Sequence, residues 1–128
     1  MTKDEIVAVA DVLQSVSRPR HGNCAKAVLH QVPESETSLF SVEPGETLAA
    51  HAHSRTWDLF IGVSGSGEIV CSGAQGLQRV PMRARSFCAI PPGVSHEIRN
   101  LSAAERLSYV LIHAPWEGYD FVKTALEG

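Results

Sequence analysis

With 128 residues, the chain is the size of one ordinary domain, enough for a single core and too short for two. Hydrophobic residues make up 44% and charged residues 20%, with a formal net charge of −3. That balance fits a globular protein, and argues against a disordered chain and against a general binder of nucleic acid or membrane. No run approaches the roughly 20 apolar residues that span a bilayer. The N-terminus, with Lys3, Asp4, Glu5 and Asp11, does not read as a secretory signal.

Asp4 to Val16 comes first. Ile6, Val9, Leu13 and Val16 have the spacing of one helical face, while the valine content keeps a strand open as the alternative. From Ala25 the pattern changes to short β-leaning runs separated by turn residues. Ala25–Val32 is followed by Pro33-Glu34-Ser35-Glu36, and Thr37–Val42 by Glu43-Pro44-Gly45. Leu48–His53 and Asp58–Val63 come next, then the turn Ser64-Gly65-Ser66-Gly67 and Glu68–Ser72. After a turn at Gly73 to Gly76 the series ends with Leu77–Met82, Ser86–Ile90, Ser95–Asn100 and Arg106–Ala114. Many short strands punctuated by Gly and Pro predict an all-β sandwich or barrel. Tyr119–Leu126 reads as a short helix or a docked arm. The division expected is an N-terminal arm over 1–24, the barrel over 25–116 and a tail over 117–128.

Arg79, Arg83 and Arg85 are interrupted by Pro81 and Met82 and read as a solvated strand face. Cys24, Cys71 and Cys88 are odd in number and widely spaced, which argues against a disulfide framework or a CxxC site. A reducing cytoplasm is the expected location, with Cys71 and Cys88 as buried, inert thiols.

The chemistry lies in the histidines. In a strand, residues two apart share a face, so His51-Ala52-His53 sets two imidazoles side by side. Asp58 is an odd number of residues from His53 and joins that face only if the chain turns at Ser54-Arg55-Thr56. A carboxylate facing a barrel interior is costly unless paired, and a metal would pair it. His96 follows Pro91-Pro92-Gly93-Val94-Ser95, a tight turn feeding another strand. Three imidazoles and one carboxylate suit Fe, Mn, Ni, Zn or Cu, and the expected cofactor is one such divalent ion.

The pattern Gly45-x5-His51-x-His53-x4-Asp58-x6-Gly65 resembles the first motif of the cupin superfamily. Pro91-Pro92-Gly93-x2-His96-x3-Asn100 resembles the second. Two residues depart from the family pattern. Position 58 is normally Glu, and Arg85 stands where a Gly normally opens the second motif. The resemblance implies a jelly-roll β-barrel of six to eight strands, preceded here by a short N-terminal helix or strand. It also implies His51, His53, Asp58 and His96 as metal ligands, carried over one by one. Asp58 is a methylene shorter than Glu, so it is the ligand expected to fail if any does. Arg85 predicts a different hairpin geometry.

Alternation places Phe60 and Gly62 on the side of Asp58, and Ile98 on that of His96. Tyr109, Leu111 and His113 share one face. Phe60, Ile98, Tyr109 and His113 are therefore the candidate pocket residues. His113 reads either as an acid–base group or as a histidine hydrogen-bonded at a strand end. Trp116 would lid the pocket or pack in a dimer. His21 and His30 fall outside every motif and receive no role.

The resemblance covers dioxygenases, isomerases, lyases and simple binding modules. The expected partner is a small oxygenated organic molecule, either turned over at the metal or only bound. A homodimer is also expected, through Val7, Val9, Leu59, Ile61 and Val63.

Overall fold

A computed structural model describes residues 6–15 and 24–127. Ten strands follow a lone 3-10 turn at Val12–Ser15. They are β1 (Cys24–Val32), β2 (Ser35–Val42), β3 (Thr47–Ala52), β4 (Trp57–Ser64) and β5 (Ser66–Gly73). The remainder are β6 (Gly76–Arg83), β7 (Phe87–Ile90), β8 (His96–Asn100), β9 (Leu107–Ala114) and β10 (Val122–Lys123). They form two antiparallel five-stranded sheets, ordered β1-β2-β9-β4-β7 and β10-β3-β8-β5-β6. The all-β jelly roll expected from the sequence is the observed architecture, with ten strands among the described residues where six to eight were expected.

Period-two alternation decides which side chains turn inward. Asp58, Phe60 and Gly62 of β4 are buried, and so are His96, Ile98 and Asn100 of β8. Tyr109, Leu111 and His113 of β9 make the third such row. Phe60, Ile69, Met82, Ile98, Leu107 and Tyr109 fill the centre of the barrel. Buried Asn100 ties a loop down: its Nδ2 donates to Val42 O at 3.0 Å and to Glu105 O at 2.8 Å. Its Oδ1 accepts from Ser102 N at 3.0 Å.

Three expectations are corrected. Of the proposed helical face over Asp4–Val16, the described part holds only the 3-10 turn, with Asp11 Oδ1 accepting from Leu13 N at 3.0 Å. Ile6 is 95% exposed, and Val9 and Leu13 are exposed as well. An apolar stripe left this exposed does not offset the cost of nucleating a helix. Residues 4, 5 and 16 lie outside the described residues, as does His21. Second, Ser35 and Glu36 are not in a turn. Pro33-Glu34 alone closes the hairpin, and Glu36 is buried in β2.

Third, Arg85 sits in no hairpin: its turn carries the chain from β6 of one sheet into β7 of the other. It adopts the left-handed conformation itself, with φ of 74°. Its N donates to Gly62 O at 3.1 Å, and Ser86 N donates to Arg83 O at 3.0 Å. A side chain in that region carries a steric cost that glycine lacks. Arg85→Gly should therefore raise stability by up to about 1 kcal/mol, since glycine's extra unfolded-state entropy takes back part of the gain. Urea denaturation midpoints of the two proteins will measure this.

Arg79, Arg83 and Arg85 are exposed, as a solvated face requires. All three cysteines are free; Cys71 is buried and Cys88 half-buried. Burial pushes the Cys71 thiol up to about 11, with the neighbouring Cys88 adding to the effect, so it stays protonated and unreactive.

Candidate metal centre

Both sheets supply the centre. In the second sheet His51 of β3 pairs directly with His96 of β8. In the first sheet His113 of β9 lies between Glu36 of β2 and Asp58 of β4, so three ionisable groups stand abreast on adjacent strands. His53 follows β3, where Ser54 and Arg55 bend the chain before β4 begins at Trp57. The bend brings Asp58 onto the histidine side. Trp57, its neighbour in the other register, is 44% exposed. Ligand atoms of His51, His53, Asp58 and His96 all lie within 4.8 Å of one another, and all four residues are buried. Asp58, the ligand in doubt from sequence, has Oδ2 2.9 Å from His96 Nε2 and 3.2 Å from His53 Nε2.

The hydrogen bonds behind the rings determine what this group can hold. His51 Nδ1 lies 2.9 Å from Ala49 O, His53 Nδ1 2.7 Å from Asp120 O, and His96 Nδ1 2.9 Å from Val94 O. A backbone carbonyl only accepts, so each Nδ1 carries a proton and donates it. Each neutral ring is then left with Nε2 as its lone-pair nitrogen, the tautomer and bracing of a metal-bound histidine. Three lone-pair nitrogens and a carboxylate have thus been gathered with no hydrogen among them. Asp58 Oδ1 is in addition buried with no hydrogen-bond partner. Four acceptors facing one another repel unless a cation sits between them, so the residues fit a divalent metal.

The electrostatics carry the same demand for positive charge. With no metal bound, a proton on the His53 or His96 Nε2 takes the cation's place: burial opposes ionisation of Asp58, but hydrogen bonds from those protonated rings and the nearby His113 outweigh it and hold its carboxyl far below the usual range. Burial also opposes a charge on His53, yet the hydrogen bond and charge of Asp58 raise its pKa. His51 is pushed down to about 4, chiefly by burial, and is neutral near pH 7.

One buried ionisable residue beside the cluster, Glu36, escaped the sequence reading, whereas His113 was among the expected pocket residues. Glu36 is buried, with Lys26 Nζ and Gln31 Nε2 each donating to its carboxylate at 2.6 Å. Burial opposes its charge, but Lys26 and Gln31 outweigh that and lower its pKa. His113 spans the gap, with Nδ1 3.6 Å from Glu36 Oε1 and Nε2 3.4 Å from Asp58 Oδ1. It is therefore a buried member of the centre and not a capped strand end. The antiparallel pairing of the start of β4 with the end of β9 sets it beside Asp58.

The C-terminal tail is a docked arm. β10 pairs with β3, setting Lys123 opposite His51. The Phe121 ring stacks on His51 at 4.6 Å, and Tyr119 packs against His53 and His113, each at 4.9 Å. Trp116 stacks on Tyr119 at 4.6 Å, beside the site. The Asp120 carboxylate accepts from Ser54 N at 2.7 Å and Ser54 Oγ at 2.5 Å, clamping the arm whose carbonyl orients His53. Asp120→Ala should lower metal affinity by about 10-fold, the size of a lost outer bond, with all four ligands still in place. Competition against a chelating dye will read this.

A cavity of about 180 Å³ opens beside His51 and His113. The four predicted pocket residues, Phe60, Ile98, Tyr109 and His113, all line it, as do Tyr119 and Phe121 of the arm.

Residues 38–113 match the family model described as Cupin domain. No curated protein matches the chain in sequence. Among solved structures, a conserved protein with a double-stranded β-helix domain from Klebsiella pneumoniae subsp. pneumoniae MGH 78578 aligns with a TM-score of 0.74 at 22% identity. That alignment covers 91% of this chain and 97% of the other. An oxalate oxidase in complex with the substrate analogue glycolate aligns with a TM-score of 0.74 at 16% identity, over 91% of this chain and 63% of its own. CapF with the inhibitor 3-isopropenyl-tropolone gives a TM-score of 0.71 at 18% identity, over 82% of this chain and 33% of its own. At these identities the likeness is one of fold.

Proposed function

This chain belongs to the cupin domain family, and we propose that it is a metal-dependent enzyme acting on a small oxygenated organic molecule, of the dioxygenase, isomerase or lyase type. One observation carries the reading: three histidines braced through Nδ1 converge with Asp58 beside a cavity large enough for a ligand. Four protein donors leave about two positions of a six-coordinate ion for substrate or water. A divalent metal bound there supplies Lewis acidity or O₂ activation.

The chain's own residues have definable tasks. The apolar walls exclude water from the reacting group. His113, which lines the cavity next to Asp58 with Glu36 behind it, offers the reacting molecule an ionisable group. The alternative, a purely binding module, rested on the short carboxylate and on the lack of a clear second catalytic group. Asp58 reaches the cluster and His113 stands beside it, which supports the enzymatic reading. The fold neighbour solved with glycolate, a small hydroxy acid, is consistent with a substrate of that size.

The test is turnover. The protein should be loaded separately with Fe, Mn, Ni, Zn and Cu and offered small diketones, keto acids, hydroxy acids and sugar acids, with and without O₂. Mass spectrometry should find product with at least one metal. No product, and no change in the metal's spectrum, across the whole panel would overturn the proposal.

A homodimer is proposed as the assembly, since Val7, Val9 and Ile61 leave apolar surface exposed. Light scattering at micromolar concentration should give twice the chain mass; the monomer mass would contradict it.

A further inference from the structure

The cavity wall and the charges around it restrict what the centre can bind. Phe40, Leu48, Phe60, Ile98, Leu111 and Phe121 are half of the twelve lining residues, and the wall they make is mainly apolar. The one lysine, Lys26, is already paired with Glu36 at 2.6 Å. No free cation therefore faces the cavity among its described lining residues. Two buried polar atoms of that lining, Tyr109 Oη and His113 Nδ1, have no hydrogen-bond partner in the protein. Both atoms are fully buried and closed off from the cavity space, so neither offers a partner to a ligand's hydroxyls.

Charge balance sets the ligand's charge. A divalent ion with neutral imidazoles and the Asp58 carboxylate carries a net charge of about +1, since ligating histidines are neutral. Lys26 and Glu36 cancel. One negative charge neutralises the site, whereas a second would be buried unpaired against apolar walls, at high cost. Hydroxyls along the ligand's body would meet the same walls without partners. Volume sets the body: a cavity of about 150 Å³ lined by Leu, Ile and Phe accepts benzene, and this one measures about 180 Å³.

We propose that this cavity selects a monoanion whose O,O-chelating head carries one apolar group the size of a single aromatic ring. The head faces the metal ligands beside His51, and the ring lies among Phe40, Phe60, Ile98 and Phe121. Aromatic 2-hydroxy and 2-oxo acids are the chemical class. The inference rests on the metal-centre reading and narrows its substrate.

The test holds the chelating head constant. Protein loaded with Mn²⁺ is titrated calorimetrically near neutral pH with glycolate, mandelate, malate and gluconate. All four are 2-hydroxy acids, bearing hydrogen, a phenyl ring, a second carboxylate and a polyol. Mandelate should bind at least about 10-fold tighter than glycolate, the scale on which an apolar pocket discriminates. Malate and gluconate should bind no tighter than glycolate. Phe121 is 55% exposed, so Phe121→Ala leaves the barrel's core intact. It should weaken mandelate by about 10-fold and leave glycolate within about twofold. Leu48→Ala, a β3 residue of the same lining, should act in the same direction. A flat series, or malate or gluconate matching mandelate, would overturn the specificity while leaving the metal centre standing. Failure to take up Mn²⁺ or any other divalent ion would overturn both.

Discussion

Replacing Asp58 with alanine should reduce divalent-metal affinity at least about 100-fold, beyond the 10- to 100-fold typical of losing an outer-shell partner. The reason is the proton inventory of the site. Each histidine spends its one N–H on a backbone carbonyl, so the cluster has lone pairs to offer and nothing to donate. Asp58 is the only anion among the four and has Oδ2 within 3.2 Å of two ring nitrogens. Without it, the imidazoles that remain carry no charge to balance the ion. The effect should also appear in stability. Metal at 100 times its Kd stabilises the fold by about 2.7 kcal/mol, which raises Tm by roughly 10 °C for a domain near this size. Scanning calorimetry should show that rise for the wild-type protein and none for Asp58→Ala. An equal rise in both would mean that Asp58 is not a ligand.

Gly62→Ala should be the most damaging small substitution in the barrel. A Cβ at Gly62 would sit 1.7 Å from Arg83 O and 2.6 Å from Arg83 C. Neither atom can yield as a side-chain tip would, because both are backbone. The contact is locked from two sides: Gly62 N donates to Ser86 O at 2.9 Å, and Gly62 O accepts from Arg85 N at 3.1 Å. Making room means separating β4 from the turn after β6 and losing those bonds. The expected cost is about 3 kcal/mol or more, at the top of the range for overpacking. Chemical denaturation will measure it, and a midpoint unchanged from wild type would contradict the close approach.

The parts of the site legible in the sequence were those that depend on local rules. Strand alternation placed His51 beside His53 and put Phe60 and Ile98 inside, and the Pro91-Pro92-Gly93 turn announced His96. Asp58 was harder, because counting along one strand puts it on the wrong face; the bend at Ser54-Arg55 resets the count. Glu36 was hidden by its own neighbourhood. Pro33, Glu34 and Ser35 extend a turn-like composition up to it, although the hairpin needs only two of those residues. Lys26 and Glu36 form a pair that depends on strand register, which a single sequence does not specify. Tyr119, Asp120 and Phe121 belong to a segment with no period. They are placed by long-range partners, Ser54 and the histidine rings, and not by propensity. The apolar spacing near the N-terminus was real, but in the described part it yields only a 3-10 turn, and Ile6, Val9 and Leu13 stay exposed.

The most direct test of the account is the metal content of the chain. Protein prepared without a histidine tag or chelator should be dialysed against a divalent transition metal and analysed by inductively coupled plasma mass spectrometry, beside Asp58→Ala and His96→Ala. The prediction is one ion per chain in the wild-type protein and a large loss in both variants. A wild-type chain that retains no metal, or variants that retain as much as it does, would contradict the central claim.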